Sequence, residues 1–197
     1  GNDGGSAVTA LTLDMSDAGA ATLNNGLTLT DGNLTVASGH GINFAADANA
    51  TNMSAELLDD YEEGTWTGVY KSTAGVMTMS SNTTGRYVKI GRFVLVTGYF
   101  GAAANNNANT SQTLQLSGLP FTVGSNDNTY YTGQAVSYYT GLALSTGGVP
   151  GQYAAVNDDV LVFTQMGIGT ADVSNMTVAN LSEDGAMMVS ASYYTIA

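Results

Sequence analysis

Four pairs of adjacent acids, Asp59/Asp60, Glu62/Glu63, Asp158/Asp159 and Glu183/Asp184, and a single histidine, His40, are the groups from which hydrolytic chemistry would have to be built in this chain. Glycoside hydrolysis places two carboxylates across one sugar. Adjacent acids do not meet that need by themselves. In a strand they point to opposite faces, and in a turn they are solvated. His40 lies in Gly39-His-Gly41, a turn sequence, which suits a turn role better than that of a general base for a Ser or Cys nucleophile. With one His and no Cys, a His/Cys zinc site is excluded. The glycines are scattered through turns and open no helix, so there is no phosphate-binding loop. The reading is of a protein without catalytic residues and without a cofactor.

Binding chemistry is better represented. Tyr130-Tyr131, Tyr138-Tyr139 and Tyr193-Tyr194 are adjacent pairs, so a strand through any of them turns one ring outward. An exposed tyrosine beside fixed polar groups suits a sugar, which has an apolar face and hydroxyl edges. Tyr130, Tyr131, Tyr138 and Tyr139, with Asn126 and Asp127, form the candidate ligand surface; packing on neighbouring strands is the competing role for these rings. Calcium takes oxygen ligands from loops. Asn126-Asp-Asn128 and Asn157-Asp-Asp159 offer them, with Asp158 and Asp159 the candidate ligands, although no EF-hand spacing is present.

The elements that must position these groups are β-strands. Gly numbers 25 and Pro 2. Only 10% of residues are charged, against ~25% in ordinary soluble domains. Polarity comes from Asn, Thr and Ser, which suit turns and strand faces. The alanines show no 3.6-residue apolar repeat. The net charge is −12, and the only cations are Lys71, Arg86, Lys89 and Arg92. That balance opposes binding to nucleic acid or to an anionic membrane surface. No apolar stretch approaches the ~18 residues of a membrane span. The first residues, Gly-Asn-Asp-Gly-Gly-Ser, carry no signal-peptide pattern.

Residues 1–53 read as a thin β-repeat stalk or assembly segment. Apolar pairs at i, i+2 recur as Leu11/Leu13, Leu27/Leu29, Leu34/Val36 and Ile42/Phe44, separated by Asn-Gly, Asp-Gly and Gly-His-Gly turns. Two leucines per short strand, at ~25 cal/mol per Å² buried, do not offset ~1–2 kcal/mol of backbone entropy per residue. The stripe therefore needs something to pack on: other copies of the chain, or the following domain. Those eight residues, with Leu57 and Leu58, are the expected oligomer interface. Ser54-Ala-Glu-Leu-Leu-Asp-Asp-Tyr61 reads as a short helical collar within 54–64, with Ser54 as N-cap and Gly64 as its end.

Residues 65–197 read as a β-sandwich head of jelly-roll type. Candidate strands are 65–70, 76–80, 85–90, 92–100, 113–116, 134–139, 160–165 and 187–196. Phe93-Val-Leu-Val96 is nearly continuous in apolar residues, as expected for a strand central to a sandwich. Asp184-Gly185 suggests a hairpin into the last strand. The Ala- and Asn-rich segment 102–111 reads as an exposed loop.

Three segments carry a resemblance. Leu57-Leu-Asp-Asp-Tyr-Glu-Glu-Gly-Thr-Trp-Thr67, then Gly85-Arg-Tyr-Val-Lys-Ile-Gly91, then Leu116-Ser-Gly-Leu-Pro-Phe121, resemble in order and spacing a family of bacteriophage fibre or appendage proteins frequent in marine phages. Gly68 departs from that pattern, which has Pro there. The resemblance implies a non-enzymatic virion component. It would be a homotrimer with a β stalk and a sandwich head that binds a host-surface receptor, a glycan, alongside other virion proteins. A capsid decoration protein or head fibre is the alternative of the same class. A polysaccharide-degrading tailspike fragment is the alternative of another class.

Overall fold

The computed structural model describes residues 12–14, 20–23, 25–31, 33–44, 57–58, 60–105, 108, 110–125, 131–132, 136–167 and 173–196. The chain divides into two units, Gly1–Ser38 and Gly39–Ala197. In the first, β1 (Thr12–Asp14) pairs with β2 (Ala20–Thr22) in an antiparallel ladder. Leu27, Leu29, Leu34 and Val36 lie outside strands and are exposed.

The second unit opens with β3 (Ile42–Asn43) and β4 (Leu57–Leu58), a two-stranded pair in which Ile42 faces Leu58. The collar helix is therefore corrected. Leu57 and Leu58 are strand residues, and Tyr61 already begins the next strand. Their partners Ile42 and Asn43 supply backbone hydrogen bonds from a distance, overriding a local helix signal.

Next come β5 (Tyr61–Thr67), β6 (Val69–Ser72), β7 (Gly75–Val76), β8 (Thr78–Met79), β9 (Thr84–Ile90), β10 (Phe93–Ala104) and β11 (Gln115–Ser117). They are followed by β12 (Tyr131–Thr132), β13 (Tyr138–Leu142), β14 (Val149–Ala154), β15 (Val160–Met166), β16 (Val173–Asn175) and β17 (Leu181–Tyr194). One sheet runs β13-β17-β10-β9-β5, with β8 also on β10. The other runs β12-β14-β15-β11-β6-β7, with β16 also on β15. Every paired strand is antiparallel, and the protein is an all-β sandwich.

The core fills the space between the sheets. Trp66 packs on Phe100 with ring centroids 4.7 Å apart, and Tyr70 on Phe163 at 6.0 Å. The Trp66 indole N–H donates to the Thr97 carbonyl at 3.3 Å, and the Tyr70 hydroxyl donates to the Phe100 carbonyl at 3.1 Å. Trp66 and Tyr70 thus satisfy their polar tips on backbone.

The chain changes sheets at Gly68, between β5 and β6. Its N–H donates to the Thr83 carbonyl at 2.9 Å, and a Cβ there would lie 2.6 Å from the Phe100 ring. Proline could supply neither the donor nor the space, so Gly is the residue this crossing requires. Two further expectations are corrected. Asp184-Gly185 is no hairpin: it lies inside β17, where the register with β13 shifts between Thr140 opposite Ala186 and Leu142 opposite Leu181, a bulge. Nor is 102–111 simply an exposed loop: β10 continues through Ala104, and Ala102 and Ala108 are buried.

Candidate functional site

The outward face of the first sheet is built by strand alternation. In β10, Val94, Val96 and Phe100 are fully buried, so Phe93, Leu95, Thr97 and Tyr99 point the other way. In β17, Met187, Val189, Ala191 and Tyr193 are buried, and Met188, Ser190, Ser192 and Tyr194 face outward. Residues 93–96 lie in β10, a central strand of its sheet, with Phe93 exposed on the outer face. As expected of the last tyrosine pair, Tyr193 is buried and Tyr194 exposed.

The register arranges these outward residues in four rungs. The first is Tyr61, Ile90, Phe93 and Tyr194; the second is Glu63, Val88, Leu95 and Ser192. The third is Thr65, Arg86, Thr97 and Ser190, and the fourth is Tyr99, Met188 and Tyr138. Phe93 and Tyr99 are six residues apart on one strand, so the two aromatic rungs are separated by roughly 20 Å.

The fourth rung is the candidate site. The Tyr99 and Tyr138 centroids are 6.2 Å apart with the rings inclined at 55°. Their strands lie on either side of β17, a spacing of about 9.5 Å, so the rings lean toward one another over Met188. Tyr138 and Met188 are each nearly half exposed, and Tyr139 on the same edge strand is exposed as well. Both members of that pair therefore reach solvent, because β13 is the outer strand of the sheet. Beside this apolar platform, the third rung supplies three hydroxyls and the Arg86 guanidinium. Those are donors and acceptors suited to hydroxyl edges.

Of the other expected ligand residues, Tyr130, Asn126 and Asp127 lie outside the described residues, and Tyr131 is described only as backbone, in β12. Tyr99, Met188 and Arg86 were not anticipated. The signal that finds Tyr99 is its phase: Phe93, Leu95, Thr97 and Tyr99 alternate with the core residues of β10. Leu11 lies outside the described residues and Leu13 is described only as backbone, in β1. Ile42, Phe44, Leu57 and Leu58 are exposed.

Of the four carboxylate pairs, Asp59 lies outside the described residues. Asp60 forms an ion pair with Lys89, whose ammonium also lies 3.8 Å from Glu62. Glu63 is on the opposite face from Glu62, where it accepts the Tyr61 hydroxyl at 3.1 Å and raises the Tyr61 phenol above its ordinary value of 10.0. Asp158 accepts the Asp159 N–H at 2.8 Å in the turn between β14 and β15, where Asn157 is held at φ 58°. Asp184 accepts the Ser182 hydroxyl at 2.8 Å in the β17 bulge. Among the described residues, no three His, Cys, Asp or Glu side chains gather as a metal-binding group. His40 follows a turn at Gly39, which has φ 78°, and is exposed.

The three sequence segments 57–67, 85–91 and 116–121 converge on one corner of the sandwich. Lys89 of the second reaches Asp60 and Glu62 of the first, and its ammonium sits 5.4 Å from the Phe121 ring of the third. Tyr87 meets Phe121 edge-on at 5.4 Å, and Gly85 lies under the Trp66 indole. This corner is packing that fixes where the chain enters the sandwich.

No family model and no curated protein matches the chain. Among solved structures, the Dettilon tailspike protein gp208 matches with a TM-score of 0.57 and 19% sequence identity. The fold is one that a tailspike protein contains. The match covers 68% of this chain and 24% of that protein, so the chain spans about a quarter of the tailspike's length. At that identity the likeness is one of fold. The assignment of a role falls to the surface chemistry above.

Proposed function

We propose that this chain is part of a phage tail appendage, a virion-associated homotrimer whose sandwich head binds a glycan on the host surface without cleaving it. The observation that carries this reading is the fourth rung: two inclined tyrosine rings over an exposed methionine, bordered by hydroxyls and one guanidinium, on the open face of a sandwich of tailspike-like fold. The ring faces take the apolar side of a sugar, and Thr97, Ser190 and Arg86 take its hydroxyl edges. A net charge of −12 favours a neutral glycan over a polyanionic one. Binding without turnover is supported by the described acids with known partners: Asp60 and Glu62 share Lys89, Glu63 holds Tyr61, and Asp158 and Asp184 sit in a turn and a bulge.

The test is incubation of the full chain with immobilised neutral oligosaccharides and, separately, with soluble polysaccharide. The reading expects retention on the oligosaccharides and no release of new reducing ends. Released oligosaccharides would make the protein a depolymerase. No retention on any neutral glycan would remove the receptor role.

A further inference from the structure

The first rung of the outward face serves a different purpose from the fourth. Tyr61, Ile90, Phe93 and Tyr194 stand in register on four adjacent strands, at 61%, 49%, 39% and 48% exposure. Phe93 and Tyr194 pack edge-on at 5.7 Å, so part of the rung is already ordered. We infer that copies of this chain join through this rung, so that the sandwich itself, and not only the leucines of the leading segment, forms the contact between subunits. The inference deepens the multi-copy appendage reading and rests on it.

Area supports a second copy as the occupant. At roughly 200 Å² for a fully exposed large side chain, the rung leaves roughly 400 Å² open, within the ~300–600 Å² of the largest patch on a typical monomer, a size often functional. Ile42, Leu57 and Leu58 on β3 and β4, and Phe44 just after β3, are 38% to 53% exposed, and by the same measure add roughly 350 Å². Leu58 precedes Tyr61 by three residues, within about 11 Å along the chain. Asp60, between them, is fastened to Lys89, and its carbonyl accepts the Gly91 N–H at 2.7 Å. The total approaches the ~800 Å² that each partner contributes to a stable interface.

Charge points the same way. The chain carries −12 overall, so most approaches of one copy to another are repulsive. The four rungs carry one acid, Glu63, and one base, Arg86, on neighbouring rungs. The face is neutral on an acidic protein. In a cyclic assembly, Glu63 of one copy can be set against Arg86 of the next. A sugar has less use for the first rung: Ile90 and Phe93 at its centre offer no hydrogen bond, and Val88 and Leu95 continue the apolar surface behind them.

Sedimentation equilibrium of the full chain tests this, comparing the parent with Ile90→Glu/Phe93→Glu. The parent is expected to be multi-copy. The variant is expected to lose at least about a hundredfold in association constant, as two interface anchors removed together would, with unchanged far-UV circular dichroism. A variant that stays multi-copy overturns this interface, and so does a parent that runs as a single copy.

Should the variant misfold, Ser192→Cys on the adjacent rung keeps the question open to measurement, since the chain has no Cys. A spin label there should show broadening by labels on other copies. Narrow lines in a multi-copy sample would contradict the proposal. Glycan retention is read separately, so a failed interface and a failed receptor role are distinguishable.

Discussion

Replacing Lys89 with methionine should cost less stability than neutralising the acid it pairs with. Lys89 is 7% exposed. Its ammonium pairs with Asp60, lies 3.8 Å from Glu62, and sits over Phe121. The side chains of Asp60 and Glu62 are 46% and 42% exposed. Lys89→Met keeps the length of the side chain and removes the buried charge. The two acids left behind are still hydrated, so the loss should be within about 1 kcal/mol. Asp60→Asn leaves a buried ammonium facing a weaker partner. A hydrogen bond to a charged group contributes about 1.5–3 kcal/mol, and because Asp60 is partly solvated the lower end applies, about 1.5–2 kcal/mol. Urea unfolding at pH 7 and at one fixed protein concentration would measure both. A larger loss for Lys89→Met than for Asp60→Asn would refute the reasoning. It would mean that the ion pair, and not relief of a buried charge, governs this corner.

Two other outcomes follow from the core. Burial raises the Tyr70 and Tyr193 phenols above their ordinary value of 10.0. Their contribution is fully present below pH 10 and is lost as pH rises further, because the unfolded chain ionises first. Stability should fall by up to about 1.4 kcal/mol per pH unit for each tyrosine. Urea unfolding between pH 9 and 11 reads this, and equal stability at both ends would contradict it. Gly85→Ala should destabilise by about 3 kcal/mol through overpacking, since its Cβ would lie 2.3 Å from Trp66 Nε1 and 2.5 Å from the Thr97 carbonyl oxygen. The fluorescence of the chain's single Trp would shift with that loss, and an unchanged thermal midpoint would disprove it.

The all-β class was legible because it depends on composition and short-range alternation. β9 and β15 begin or end within one residue of their expected bounds for the same reason. What failed depends on partners distant in sequence. Leu57-Leu58 looked helical because nothing local announces Ile42-Asn43 as its mate. Asp184-Gly185 has turn chemistry, but a bulge uses the same residues, and only the β13 register distinguishes the two. β14, which contains Pro150 and Gly151, was not among the expected strands, yet it pairs with β15 over six residues.

The candidate site was half legible. Tyr138 and Tyr139 stood out as an adjacent pair. Tyr99 was one residue of a long candidate strand with nothing local to single it out, and Met188 became relevant only once β17 was placed between β10 and β13.

Titration of the full chain with a neutral oligosaccharide retained by the parent, compared across Tyr99→Ala, Tyr138→Ala and the pair, tests the receptor surface most directly. Each single change should weaken binding about five- to thirtyfold, as loss of an aromatic anchor does. Phe93→Ala, on the other aromatic rung, should leave the affinity per site unchanged. Equal affinity in the parent and the Tyr99→Ala/Tyr138→Ala protein would contradict the account.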